Sequence, residues 1–193
     1  MKHLITILLL QLSLYSCFGQ TKAKTIYNED FKWTITIPEN FINVSPQDWE
    51  KVQNRGIEAI EETYGEQVIN QAKTIFVYKN ADFNMIESNY QPFDVEVDGD
   101  YLESCQGVNE IIYDIFKAQM SNIKIDSISS VEKISNLDFQ TFKVEINFPN
   151  GIVMHSILYS RLFINREFSV NITYIDPEEG KKMIEAWTES KFE

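Results

Sequence analysis

The stretch Phe139–Tyr174, FQTFKVEINFPNGIVMHSILYSRLFINREFSVNITY, decides the fold of this chain. It holds three runs, 139–148, 152–163 and 168–174, in which apolar and polar residues alternate. Alternation with a period of two is the pattern of a β-strand that has one apolar face. Because only short turns separate the runs, neighbouring strands must be antiparallel. The stretch therefore predicts a three-stranded antiparallel meander.

The first turn of this meander, Pro-Asn-Gly at 149–151, sets the pairing of its first two strands. A two-residue Asn-Gly turn would require a backbone N–H from the proline, which has none. A three-residue loop with the glycine in the left-handed bulge position avoids this conflict. We therefore expect Phe148 to pair with Ile152 and Ile146 to lie opposite Met154.

For the second turn we also expect a three-residue loop, at 164–166, which would place Leu162 opposite Phe168. Alternate residues from 168 to 174 would then share the apolar face of the first two strands. The opposite face of the middle strand is mixed, with Val153, Ile157 and Tyr159 among polar residues. This mixture indicates partial cover by a helix.

Three segments carry the signals of a helix start, a capping residue followed by a proline or an acid. They are Ser45-Pro46-Gln47-Asp48, Asp100 with Glu103, and Asp176-Pro177-Glu178-Glu179. Apolar residues follow each signal at helical spacing, and the second helix should run to about Met120 with Cys105 on its inner stripe. Further strands are expected at 31–37, 74–78, 83–90 and 127–134. The predicted fold class is α+β, an antiparallel β-sheet with helices on both faces, or α/β/α sandwich.

The first nineteen residues have the pattern of a secretory signal peptide: Lys2, then an apolar run over Leu4–Leu14, then small residues. A run of about eleven residues is too short to cross a bilayer, which takes roughly 20. We expect residues 1–19 to be a signal peptide and 20–193 to form one α/β domain that is exported, either periplasmic or secreted.

The boundary between the signal peptide and the domain allows a second interpretation. Leu14-Tyr15-Ser16-Cys17 resembles the lipobox of bacterial lipoproteins, in which cleavage before Cys17 leaves a thiol that carries acyl chains. The chain would then be a membrane-anchored lipoprotein, and any membrane contact would depend on the acylated Cys17. Cleavage after Gly19 and cleavage before Cys17 both fit the sequence.

The composition excludes some classes of partner and site. The formal net charge is −12, and no basic cluster with interleaved aromatic residues is present, so nucleic acid is not an expected partner. After processing, Cys105 is the one cysteine certain to remain, and no internal disulfide can form. His155 is then the one histidine, which argues against a zinc site built on several histidines, and we expect no metal and no cofactor.

The acids from Asp94 to Asp100 imitate a calcium loop, but the position of its bidentate glutamate is Cys105. A solvated approach to the second helix, capped by Asp100, explains the same residues. The better candidate is a polar margin of the sheet formed by Glu145, His155 and Arg161, in which the first hairpin register sets Glu145 directly across from His155. These three residues are candidate binding residues; no catalytic residue is assigned.

The order of these elements resembles that of PsbP-like and DcrB-like proteins. The resemblance spans roughly 26–192 and rests on a strand ending in Thr36-Ile37-Pro38-Glu39-Asn40-Phe41, the helix near Pro46, a long middle helix, the meander and the closing Asp-Pro-Glu-Glu helix. It implies an antiparallel sheet between helices. The family includes exported bacterial lipoproteins, a photosystem accessory protein and a nuclear protein that binds a small GTPase, and its members share no active site.

Three functions remain open from the sequence. The first is a non-enzymatic envelope protein that binds an unidentified protein or small-molecule ligand near Glu145, His155 and Arg161. The second is a hydrolase or other enzyme that uses Glu145 and His155. The third is a structural component of an envelope assembly, which would expose a broad apolar patch.

Overall fold

A computed structural model describes residues 21–193 apart from Ser121. The strands are β1 Lys24–Asn28, β2 Trp33–Ile37, β3 Ile42–Asn43, β4 Lys73–Ala81, β5 Asn84–Pro92, β6 Lys124–Ile134, β7 Leu137–Asn147, β8 Val153–Phe163, β9 Arg166–Tyr174 and β10 Lys191–Phe192. The helices are α1 Pro46–Tyr64, α2 Val95–Asp98, α3 Tyr101–Gln119 and α4 Pro177–Thr188. The predicted signal peptide and Cys17 lie outside the described residues.

The strands form two sheets. Seven of them make an antiparallel sheet in the order β3-β4-β5-β9-β8-β7-β6, and β1, β2 and β10 make a smaller one. The predicted meander is confirmed, since β7, β8 and β9 are neighbours in the larger sheet. The smaller sheet, in which β10 comes from the far end of the chain, was not predicted.

Both faces of the seven-stranded sheet are covered. On one face, α3 packs through Ile112 and Phe116 on a cluster that includes Ile146. On the other face, α4 and the smaller sheet bury a large aromatic cluster around Trp33 and Trp187. The predicted α+β fold with helices on both faces is confirmed.

The predicted helix starts are also confirmed. Ser45, Asp100 and Asp176 are the N-caps of α1, α3 and α4, and the side chain of each accepts a hydrogen bond from a backbone N–H in the first turn. Such caps satisfy backbone donors that have no partner inside the helix. Among the described helices, none is both long enough and apolar enough to span a bilayer.

The first hairpin has the predicted register. The N–H of Phe148 donates to the carbonyl of Ile152 at 2.9 Å, and Ile146 lies opposite Met154. Gly151 takes the left-handed conformation, with φ at 83°. The turn requires a residue with positive φ, and Gly151 supplies it. This requirement sets the pairing of β7 with β8, as the sequence indicated.

The predicted register of the second hairpin is wrong. The turn has two residues, Ile164 and Asn165, so that Phe168 lies opposite Arg161 and not Leu162. Ile164 has a φ of 56°, a conformation that β-branched residues rarely adopt. An isoleucine at this position therefore did not indicate a tight turn. A shift of one residue moves every side chain to the other face. Phe168 is consequently fully buried on the α4 side of the sheet.

Candidate functional site

Glu145 and His155 face each other across β7 and β8, in the predicted register. Nδ1 of His155 lies 3.8 Å from Oε2 of Glu145, which is longer than a hydrogen bond. The other carboxylate oxygen accepts a hydrogen bond of 3.1 Å from the side-chain amide of Asn147. Both side chains are partly exposed, so the pair is open to a ligand from solvent.

The imidazole ring of His155 is held by an aromatic stack. It lies on the ring of Tyr174, its partner residue on β9, with 4.6 Å between centroids and 21° between planes. Behind Tyr174 lies Gly180 of α4, where a Cβ atom would come within 2.6 Å of Cγ of the tyrosine. Burial and the negative charge of Glu145 raise the pKa of the Tyr174 phenol.

These residues line a cavity of about 330 Å³, here called the His155 pocket, which is at the lower end of the range for small-molecule sites. Its lining is Asp126, Ser127, Ile128, Lys143, Val144, Glu145, His155, Ile157, Tyr174 and Ile184. Four of these residues are apolar, and Ile184 comes from α4. The pocket thus combines an apolar floor with a charged rim.

Lys143 and Asp126 of the lining are already paired with other residues of the chain. Lys143 contacts Glu132 at 2.6 Å, and Lys124 contacts Asp126 at 2.5 Å. Among the described residues, Glu145 has His155 as its ion-pair partner and no lysine or arginine. The rim therefore offers a carboxylate that forms no ion pair with a lysine or arginine of the described residues.

Arg161 lies apart from this pocket. It is six residues further along β8, a distance of about 20 Å in an extended strand. Its guanidinium donates to the carbonyl of Asp138 at 2.5 Å and lies 5.4 Å from the ring centroid of Phe163. The structure thus brings together two of the three predicted binding residues, and the role predicted for Arg161 would require a second contact surface.

A second cavity, the α3 groove, lies between α3 and strands β6, β7 and β8 and has a volume of about 340 Å³. Its lining is Leu102, Cys105, Gln106, Asn109, Ser129, Ser130, Val131, Gln140, Thr141, Phe142, Leu158 and Ser160, and none of these residues is charged. Cys105 is buried as predicted, and this burial raises the pKa of its thiol. Leu102, one turn earlier in α3, is about half exposed at the groove.

A partly buried polar strip, which was not predicted, lies on the sheet face that carries α1 and α3. Its residues are Glu87, Asn89 and Gln91 of β5 and Glu167, Ser169 and Asn171 of β9. The carboxylate of Glu87 accepts hydrogen bonds from the amides of Asn171 and Asn89, and Gln91 donates to Glu167 at 2.7 Å. The signal was present, because polar residues at every second position of a strand define one face.

Burial raises the pKa of the Glu87 carboxyl, which is 6% exposed. Burial also raises the pKa of Glu167. Among the described residues, Glu87 is hydrogen-bonded by amide donors and by no cation. Loss of hydration therefore disfavours its charged carboxylate. The strip is an internal hydrogen-bond network.

The acidic segment before α3 does the work of helix capping. Asp94 caps α2 and Asp100 caps α3, where the Asp100 carboxylate accepts hydrogen bonds of 2.9 and 3.0 Å from Leu102 and Glu103. Over the described part of the chain, no group of three or more histidine, cysteine, aspartate and glutamate side chains is arranged to hold a metal ion.

Comparison with known proteins identifies the fold. No family model matches the chain, and no curated protein sequence is similar to it. The solution structure of cyanobacterial PsbP (CyanoP) from Synechocystis sp. PCC 6803 superposes with a TM-score of 0.56 over 89% of this chain and 92% of that chain. The identity is 6%, so the likeness concerns the fold alone. The PsbP-like architecture expected from the order of the elements is therefore confirmed.

Proposed function

We propose that this protein is an exported, non-catalytic binding module whose His155 pocket holds a small ligand with an apolar body and a positively charged group. Export is supported by the signal-peptide pattern of residues 1–19. Binding is supported by a formed cavity that combines apolar surface with a few polar groups, which is the usual composition of a ligand site.

The observation that carries the proposal is the stacked pair of His155 and Tyr174 beside the carboxylate of Glu145. The partly exposed carboxylate of Glu145 attracts a cation, and the stacked rings of His155 and Tyr174 form an aromatic wall beside it. The apolar floor, to which Ile157 and Ile184 contribute, would bury the rest of such a ligand. The net charge of the chain is −12, and this negative charge also attracts a cation.

The alternative, a hydrolase that uses Glu145 and His155, has less support from the geometry. A general base must lie within about 2.6 to 3.2 Å of the atom that bears the proton it abstracts. Among the described residues, His155 forms no hydrogen bond with the hydroxyl or thiol of a serine, threonine or cysteine. The imidazole instead packs face to face on Tyr174, which suits a wall of a binding site.

A titration followed by NMR tests the proposed pocket. Benzylamine has an apolar ring and a cation, and benzoate has a similar ring and an anion. We expect benzylamine to shift the resonances of His155 and Tyr174 in a saturable way, and benzoate to have little effect. The variant Glu145→Gln should weaken benzylamine binding at least threefold, and Arg161→Gln, about 20 Å away, should leave it unchanged.

Two results would overturn this assignment. One is equal binding of the amine and the acid, which would remove the role of Glu145. The other is a set of shifts confined to the α3 groove, at Ser129, Ser130 and Gln140, which would move the site to the neutral cavity.

Export is tested separately by the intact mass of the protein recovered from the cell envelope. A chain that begins at Gln20 supports cleavage after Gly19, and a chain that begins at an acylated Cys17 supports the lipoprotein alternative. A chain that retains Met1 would contradict export in either form.

A further inference from the structure

Strand β6 is an edge strand of the larger sheet. It stands at the end of the seven-stranded sheet, and among the described residues no strand pairs with it except β7. Its eleven residues keep an unbroken register with β7, and residues 126–131 are all exposed. The other edge of the sheet, β3, has two residues and offers little backbone for pairing.

Edge strands in monomeric proteins are usually protected against pairing by charged side chains, a proline, a bulge, a short length or cover from another element. Strand β6 contains no proline, its register shows no bulge, and its four charged residues are of both signs, so they can pair with a second copy. It also exposes two large apolar side chains, Ile128 at 63% and Val131 at 58%. A long, regular and partly apolar edge is a surface to which another strand can add.

We propose that two copies of this chain associate edge to edge through β6, antiparallel, with the two-fold axis at Ile128. The two-residue turn after β6 makes Ile134 and Leu137 a hydrogen-bonded pair. Because bonded and non-bonded pairs alternate along an antiparallel ladder, the odd-numbered residues 125–133 point their N–H and C=O groups outward. A second β6 can therefore form a complete ladder with these groups.

The charges on β6 select the register. With the axis at Ile128, Lys124 lies opposite the partner's Glu132, and symmetry repeats this attractive pair. Ser130 then lies opposite the partner's Asp126, and the two Ile128 side chains meet at the centre. With the axis one residue later, at Ser129, Asp126 would lie opposite the partner's Glu132 twice, and like charges directly opposite are destabilising.

The ion pairs within each chain extend across this interface. Lys124 already contacts Asp126, and Glu132 already contacts Lys143. In the dimer the charges would alternate in sign from Asp126 through Lys124 to the partner's Glu132 and the partner's Lys143. The dimer would also place the partner's Ile128 beside Ile128, which lines the His155 pocket.

Charge reversal tests the association, and its outcome is independent of any ligand. Sedimentation of the purified protein should show a concentration-dependent dimer. Both Lys124→Glu and Glu132→Lys should weaken self-association at least tenfold, and an equimolar mixture of these two variants should restore a heterodimer. Lys191→Glu, a charge reversal of an exposed lysine on β10, is the matched control and should dimerise normally.

Cysteine crosslinking tests the register. Facing residues in a non-bonded antiparallel pair lie within disulfide distance, so Ile128→Cys should form a crosslinked dimer under mild oxidation. Ser130→Cys, two positions along the same face, should remain uncrosslinked. A protein that sediments as a monomer at every concentration overturns the dimer, and efficient crosslinking through Ser130→Cys in place of Ile128→Cys overturns the register.

Discussion

The ring of Tyr174 lies against the backbone of Gly180, so close that even a methyl group at position 180 would overlap its atoms. The same ring stacks on His155. A helix residue without a side chain therefore determines where the wall of the His155 pocket stands. The contact connects the packing of α4 to the geometry of the proposed binding site.

We expect Gly180→Ala to destabilise the protein by about 1 to 3 kcal/mol, because overpacking forces neighbouring groups to move. Gly56→Ala in α1 is the matched control, since a Cβ there would meet nothing within 4 Å. That control should instead stabilise the chain by roughly 0.5 to 1 kcal/mol, as expected for alanine in place of glycine in a helix. Urea unfolding measures both free energies, and equal effects of the two substitutions would contradict the close contact.

The buried carboxyl of Glu87 predicts a particular dependence of stability on pH. Burial raises its pKa above the unfolded value of 4.5, so the folded state binds this proton more tightly than the unfolded state. The contribution of Glu87 is then fully present below pH 4.5 and is lost as the pH rises through the folded pKa. Relative to the wild type, Glu87→Gln should gain stability as the pH rises above about 4.5.

Urea unfolding at several pH values measures this difference. Glu189→Gln, which removes one carboxylate from an exposed position, is the control for the change in net charge. A difference between Glu87→Gln and wild type that is constant with pH would show that Glu87 is ionised in the folded state as readily as in the unfolded chain.

The turn residue Ile164 predicts a stabilising substitution. Its φ is 56° and its side chain is 98% exposed, so it carries the strain of the left-handed conformation without burying apolar surface. Asparagine tolerates this conformation, and Ile164→Asn should raise the free energy of unfolding by about 1 kcal/mol. Ile164→Val keeps the β-branch and should give no gain. Thermal unfolding compares the two variants, and a loss of stability in the asparagine variant would refute the strain.

The indole of Trp33 predicts the cost of an unpaired buried donor. Its Nε1 donates to the hydroxyl of Ser190 at 3.0 Å, and both residues are buried. Ser190→Ala leaves that N–H without its partner and should cost about 1 to 3 kcal/mol. Thr188→Ala, which removes an exposed hydroxyl two residues earlier, should change stability much less. Urea unfolding followed by tryptophan fluorescence measures both, and a neutral effect of Ser190→Ala would count against this bond.

The elements that sequence could predict are those whose signals are local. The capping residues Ser45, Asp100 and Asp176 specify helix starts through bonds to their own first turns, and the turn at 149–151 specifies its register through the chemistry of proline and glycine. The pairing of Glu145 with His155 followed from that register.

The elements that sequence did not reveal depend on distant packing. The burial of Phe168 among Trp33 and Trp187 outweighs the unfavourable backbone of Ile164, and this competition is invisible in the turn itself. Arg161 shares the alternation of His155, but alternation reports the face of a strand and not the distance along it. Tyr174 as a wall of the pocket could be found only with the correct register of β9.

The polar strip has a consequence for how the molecule opens. The described part of α1 buries Ala59 and that of α3 buries Cys105, whereas α4 buries Gly180, Met183 and Trp187. With polar side chains such as Glu87 and Asn171 beneath α1 and α3, that layer is held by less apolar surface than the α4 layer. Amide protons of α1 should therefore exchange with deuterium sooner than those of α4, because the layer of α1 and α3 opens before the layer of α4.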